Sequence, residues 1–232
     1  MDKFFLDRIY NVFFPIKCGY CNKITENISH ICNDCRIKIY MEDDNRCKFC
    51  GTKIFRENNI CDKCAKAKVY YDKLVFCAEY KDVLRNRMLQ YKFEDKKYLK
   101  DFFAEQLANK LVSIDIDYII AVPISKNRMR ERGYNQTNLI AKRVGKILDK
   151  QYVSDILVKT KETERQSTLS KTERKINVKD SFKVDDIYKV RDKKILLIDD
   201  IFTTGATVNE CSKMLKKAGA KKVIVATILS KN

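Results

Sequence analysis

Four Cys-x-x-Cys pairs, Cys18 and Cys21, Cys32 and Cys35, Cys47 and Cys50, Cys61 and Cys64, crowd into the first third of the chain with 10, 11 and 10 residues between successive pairs. Two residues between cysteines let both sulfurs of one turn point at a single ion, and two such turns complete the tetrahedron that a structural zinc prefers. Eight ligands make two Zn2+ sites. With every position taken by cysteine, neither metal keeps an open coordination site, so both are expected to be structural. Sequential pairing would give two compact ribbons and cross-brace pairing would interleave them; the sequential scheme is favoured. Each ion would supply on the order of 10 kcal/mol of apparent binding free energy, most of it offsetting the cost of folding a segment too small for its own core. Disulfide and redox uses fit less well, because a cytosolic chain keeps its thiols reduced. Gly19 and Gly51 sit in or next to these turns, where a positive φ is expected.

The single histidine, His30, lies beside a full set of cysteines and reads as a surface residue of the first ribbon, not a ligand. Its isolation excludes His-dependent triads elsewhere unless the two halves of the chain meet there. Cys77 and Cys211 read as small buried apolar residues.

Beyond Cys64 cysteine nearly disappears, which marks a domain boundary. The expected division is an N-terminal helix and double zinc ribbon over 1–70 and a second domain over 71–232. Phe5, Ile9 and Phe13 repeat at helical spacing and suggest one short amphipathic helix ahead of the cysteines. The chain has no apolar run of the roughly 18 to 20 residues that a membrane helix needs, so no membrane span is expected. Its start is broken by Asp2, Lys3, Asp7 and Arg8, unlike a signal peptide, and the expected location is the cytoplasm. The formal net charge is +17, and eight thiolates with two dications take four charges off it, leaving +13. Such a balance favours polyanionic partners.

After residue 70, apolar bursts at 74–80, 117–122, 155–158, 181–184, 194–198 and 222–229 alternate with helical patterns at 82–91, 97–112, 135–149 and 206–218, the last stopping at Gly219. That alternation predicts an α/β domain with a mainly parallel sheet. Residues 159–178 are polar and aperiodic, a stretch long enough to be a lid or a flexible connection.

The stretch KKILLIDDIFTTGATVNECSKMLKKAG, residues 193–219, is the most informative. A buried strand delivers Asp199 and Asp200 at its carboxyl end, where open α/β sheets bind ligands. The loop of Thr203, Thr204, Gly205, Ala206 and Thr207 can wrap N–H groups and hydroxyls around a phosphate at a helix N-terminus. Carboxylates beside a phosphate suit sugar hydroxyls, so the ligand reads as a ribose phosphate. The chain has neither GxxxxGK[ST] nor GxGxxG, which leaves nucleoside triphosphatase and dinucleotide folds unsupported.

IDDIFTTGAT resembles the 5-phosphoribosyl-1-pyrophosphate (PRPP) motif of type I phosphoribosyltransferases. With the cysteine pairs and AVPISKNRMRERGYNQTNLIAKRV at 121–144, the chain resembles the ComF family of competence proteins. The resemblance implies a type I phosphoribosyltransferase-like domain preceded by a double zinc ribbon. It assigns Asp199 and Asp200 to ribose hydroxyls and Thr203 to Thr207 to the 5-phosphate, with Mg2+ accompanying PRPP. The loop from Pro123 to Arg132, with Ser125, Lys126, Arg128, Arg130 and Arg132, corresponds to the pyrophosphate loop; its cations suit that charge. Arg165, Gln166 and Arg174 fall in the lid.

Three function classes follow. The first is a PRPP-binding protein that handles single-stranded DNA in natural transformation, as the resemblance implies, with the DNA-uptake machinery among its partners. The second is an active phosphoribosyltransferase on an unidentified base or other nucleophile; the third is a scaffold acting through its ribbons. Residues 126–175 carry 14 basic and 6 acidic side chains, with Tyr134 and Tyr152 available to stack on bases. The same charges would serve PRPP, and no residue stands out as a base-recognition hood.

Overall fold

The computed structural model describes residues 15–25, 30–39, 45–55, 59–162 and 170–232. The expected helix through Phe5, Ile9 and Phe13, and the lid residues Arg165 and Gln166, lie outside them. A five-stranded, wholly parallel sheet organises the molecule, with strands β1 (Lys73–Glu79), β2 (Tyr118–Ala121), β3 (Gln151–Tyr152), β6 (Lys194–Phe202) and β7 (Lys222–Ser230) in the order β1-β7-β6-β2-β3. The chain leaves β2 toward β3 on one side and leaves β6 toward β7 on the other. The carboxyl ends of β2 and β6 therefore flank a topological switch point, where such sheets form a crevice.

Strand β6 is buried on both faces from Ile195 to Ile198, which is why it reads as an unbroken apolar run. On one side, Ile119, Leu196, Ile198 and Ala226 join a core with helices α3 (Asp82–Phe93), α4 (Leu99–Asn109) and α6 (Gln136–Leu148). On the other, Ile120, Leu197, Val223 and Val225 join α8 (Ala206–Lys217), whose Val208, Cys211 and Leu215 recur at helical spacing. Cys77 and Cys211 are buried, and burial pushes both thiols up, as small inert core residues require.

Two expected strands do not join the main sheet. The runs at 155–158 and 181–184 become β4 (Leu157–Lys159) and β5 (Phe182–Val184), an antiparallel pair of their own. Short apolar runs carry no information about which sheet they enter, and here Ile156, Leu157 and Phe182 are buried against the α8 side of the core. The segment between them is not aperiodic throughout: α7 (Lys171–Asn177) starts on a capping box in which Ser170 and Glu173 satisfy each other's backbone N–H groups. The expected pyrophosphate loop also shortens, because Lys126–Arg132 is helix α5, capped by the Ser125 hydroxyl and closed by Gly133 at φ 72°.

The cysteine segment packs directly on this domain. Its two short helices are α1 (Asn33–Ile39) and α2 (Asp62–Ala65). Among the described residues, no helix is long and apolar enough to cross a membrane.

Candidate functional site

The eight Sγ atoms gather into two groups, Cys18–Cys21–Cys32–Cys35 and Cys47–Cys50–Cys61–Cys64, each within 4.8 Å of one another. Pairing is therefore sequential. Burial works to raise the thiols of Cys18 and Cys47, yet N–H groups of the surrounding turns, Cys21 and Cys32 for one and Cys61 and Phe49 for the other, bring both down to about 7. Burial and neighbouring thiols push Cys35 and Cys64 of the same sets up, so it is the close clustering of four sulfurs that fits each set to a zinc ion. His30 belongs to neither set. It is half-buried, and its Nδ1 lies 3.0 Å from Glu105 of α4, so the two halves of the chain meet there.

The second site is a cleft of about 300 Å³ at the switch point. Strand β6 runs past its expected end at Ile198, through the two carboxylates, to Phe202, and Asp199 and Asp200 line the cleft. Thr203 and Thr207 face it from the following turn, and Gly205 and Ala206 line a smaller recess alongside. Gly205 adopts φ +75° at the N-cap of α8, and a Cβ there would lie 2.7 Å from the Phe202 ring, so any other residue would be strained and would displace that ring. Thr204 lines neither space; its hydroxyl accepts the Ala206 N–H at 3.3 Å and braces the turn.

From the end of β2, Val122, Pro123 and Ile124 border the cleft, with Arg128 and Arg132 of α5. These arginines sit four residues apart on one helical face. Lys126 and Arg130 share the opposite face and are exposed outside the lining. Ser125 is buried as the helix cap. Arg174, on α7, lines the cleft as well.

Several lining residues carry no local sequence signal. Lys92, near the end of α3, pairs with Asp200 at 2.6 Å, both side chains nearly buried. Lys159 and Phe182 line it from the β4–β5 pair, Lys231 follows β7, and Phe93 and Tyr80 belong to the lining as well. The described lining thus holds six cations, Lys92, Arg128, Arg132, Lys159, Arg174 and Lys231, against Glu131, Asp199 and Asp200. Burial, and then the charge of Asp200, push the Asp199 carboxyl up to about 7. Burial, and then Arg128, bring the Lys159 ammonium down to about 8. Opposed shifts in one cleft are a signature of functional sites.

Beyond Arg132, the residues GYNQ at 133–136 build the wall and are not part of the cleft lining. Buried Asn135 caps α6 and donates to Val122 O at 3.1 Å, pinning the helix to the end of β2. Gln136 accepts from Arg132 at 3.1 Å and donates to Lys92 O at 3.4 Å, while Tyr91 donates to Gln136 O at 2.8 Å. Of the two stacking candidates, Tyr134 lies under Lys97 at 4.6 Å, whereas Tyr152 on β3 packs against the core and is unsuited to stacking.

Two family models match the chain, a double zinc ribbon domain over residues 9–66 and a phosphoribosyl transferase domain over residues 102–232. The chain is 28% identical to Competence protein F of Haemophilus influenzae over 92% of its own length and 96% of that protein. It is likewise 28% identical to Competence protein ComFC of Streptococcus pneumoniae, covering 84% and 85%, and to DNA utilization protein YhgH of Escherichia coli strain K12, covering 84% and 88%. A glutamine PRPP amidotransferase structure from B. subtilis is 18% identical at a TM-score of 0.43, over 60% of this chain and 30% of that one. The chain belongs to the phosphoribosyl transferase domain family, in the ComF type that sets a double zinc ribbon ahead of that domain.

Proposed function

We propose that the cleft binds PRPP and that the protein is a ComF-type, cytoplasmic handler of single-stranded DNA, organised as a helix and double zinc ribbon over 1–70 and a phosphoribosyltransferase-like domain over 71–232. One observation carries the PRPP reading: a carboxylate pair, a glycine-containing phosphate turn at a helix N-terminus and a two-arginine helix face line one cleft or the recess beside it, at the switch point. In this reading Thr203 to Thr207 hold the 5-phosphate, and Asp199 and Asp200 accept hydrogen bonds from ribose hydroxyls. Arg128 and Arg132 meet the pyrophosphate, joined by Arg174 from the far end of the lid. Mg2+ would accompany the ligand, held mostly by substrate oxygens and water, and would offset part of the pyrophosphate charge.

The DNA half of the reading is supported by the net charge of +17 and by two cation and aromatic pairs, Lys231 over Tyr80 at 4.9 Å in the cleft lining and Lys97 over Tyr134 at 4.6 Å outside it. The relatives' names, competence and DNA utilization, point the same way and make the DNA-uptake machinery the expected partner. Anisotropy of a labelled single-stranded oligonucleotide tests it: affinity is expected to fall steeply with salt, and a flat salt response would reject an electrostatic track.

A second reading, transfer of the ribose 5-phosphate to a base, is favoured by Phe182 and Lys159 in the cleft lining. These supply an apolar ring and a cation where the sequence offered no hood. Pyrophosphate release from PRPP with candidate bases distinguishes the two readings.

A further inference from the structure

The second ribbon contacts residues that adjoin the cleft lining in the chain. Arg46 donates to Gly51 O at 2.9 Å and pairs with Glu79 at 3.2 Å, next to Tyr80 of the lining. Cys50 O accepts from Asn232 at 3.1 Å, next to Lys231. The third contact reaches the phosphate turn. Phe49, between the ligands Cys47 and Cys50, accepts a 2.5 Å hydrogen bond from the buried Tyr71 hydroxyl and meets its ring edge-on. That hydroxyl is also a near neighbour of Gly205, 3.5 Å from where a Cβ would stand. The same segment is fixed to the first turn of α8: Asn209 accepts the Tyr70 N–H at 2.8 Å and donates to Lys68 O at 3.1 Å, while its own N–H donates to Gly205 O at 2.9 Å.

The bonded groups Phe49 to Tyr71 and Tyr70 to Asn209 therefore link a cysteine turn of the second metal site to the neighbourhood of Gly205 and the first turn of α8. Among the described residues the first ribbon shows no such link. Its partners, Phe102, Glu105, Tyr98 and Arg87, lie on or near α4 and on α3 and are not themselves in the cleft lining.

We propose that Tyr71 is a positioning residue through which the second ribbon holds the phosphate turn, so that ligand binding in the cleft and metal retention by Cys47, Cys50, Cys61 and Cys64 are coupled. The inference rests on the reading of the cleft as a PRPP site. The physical basis is linkage: if the intact ribbon favours the turn conformation that binds phosphate, bound phosphate must favour the intact ribbon by the same factor.

The test is pulsed alkylation of the zinc-loaded protein with iodoacetamide, followed by peptide mass spectrometry, with and without Mg·PRPP at saturation. PRPP is expected to slow alkylation of Cys47, Cys50, Cys61 and Cys64 by about five-fold, leaving Cys18, Cys21, Cys32 and Cys35 unchanged. Tyr71→Phe, which keeps the ring and removes the hydroxyl, is expected to abolish most of that protection with two zinc ions still bound per chain. Its PRPP affinity should fall by a similar factor. Alkylation unaffected by bound PRPP, or slowed equally in both ribbons, would overturn the coupling while leaving the PRPP site intact. Failure of the wild-type protein to bind PRPP would remove the site reading and the coupling with it.

Discussion

The two ribbons share four cysteines and the same ten-residue gap, yet they are joined to the sheet differently. The first lies over α4 on one face, where the backbone of Gly19 rests on the Phe102 ring so closely that a Cβ would overlap it. Its polar contacts there, His30 with Glu105 and Tyr20 O with Arg87, fix a helical surface. The second caps the edge strand β1: Leu74 N donates to Lys48 O at 2.7 Å, and Gly51, at φ +74°, rests on Phe76 with Arg46 above the same ring. An edge strand offers unpaired backbone groups, and this ribbon covers some of them. Metal ligation makes the knuckle in both cases, and the residues between the ligands decide what the knuckle is attached to. One ribbon is fastened to the scaffold, the other also to the site.

The strongest challenge to this contrast is zinc removal. With on the order of 10 kcal/mol of apparent binding free energy at each metal, chelation should unfold the described parts of residues 18–64. Circular dichroism should show the loss, and an unchanged spectrum after complete removal would contradict it. If the contrast holds, stripping the second site should lower PRPP affinity as well.

Glycine substitutions come next. Gly19→Ala and Gly51→Ala both force a Cβ into an aromatic ring, an overpacking that costs about 1–3 kcal/mol, and Gly51→Ala adds the strain of a positive φ. Thermal melts should rank Gly51→Ala as the more damaging. Titration with PRPP should find Gly19→Ala close to wild type and Gly51→Ala weakened; equal effects on binding would erase the distinction between the ribbons.

Asp200→Asn should weaken PRPP binding by about 1.5–3 kcal/mol, the worth of hydrogen bonds to a charged group, without unfolding the chain. It also changes a pH response. Asp199, pushed up to about 7 from an ordinary 3.8 by burial and then by Asp200, binds its proton more tightly folded than unfolded. Its contribution to stability is therefore present below about 3.8 and lost as pH rises through about 7. Removing the Asp200 charge lowers that upper limit, so melts of the ligand-free variant between pH 4 and 8 should show a shallower fall than wild type. The smallest effect belongs to α7: Ser170→Ala breaks its capping box and should cost about 1 kcal/mol, read by hydrogen exchange across Lys171–Asn177.

Much of this was legible from residue patterns. The cysteine spacing gave both metal sites, and Gly51 does take the positive φ its turn suggested, whereas Gly19 is needed for space against Phe102. Strands β6 and β7 stand out because burial on both faces leaves unbroken apolar runs. Helix α5 escaped because KNRMRER carries no apolar stripe; Ser125 and Gly133 make it a helix from its ends. Strand β3, at two residues, is too short for any periodicity. The capping box of α7, Ser170 to Glu173, was present in the sequence and would have divided the long polar segment. Lys92, Lys159 and Phe182 were beyond sequence reasoning, since only tertiary packing brings α3 and the β4–β5 pair to the carboxylates. The unexpected β4–β5 pairing had the same cause.

The most direct test of the account is a calorimetric titration of PRPP with Mg2+ into the zinc-loaded protein. The account predicts saturable binding at one site per chain, weakened in Asp200→Asn. No binding by a folded, zinc-replete wild-type protein would contradict it and leave the ribbons and the basic surface as the functional parts of the molecule.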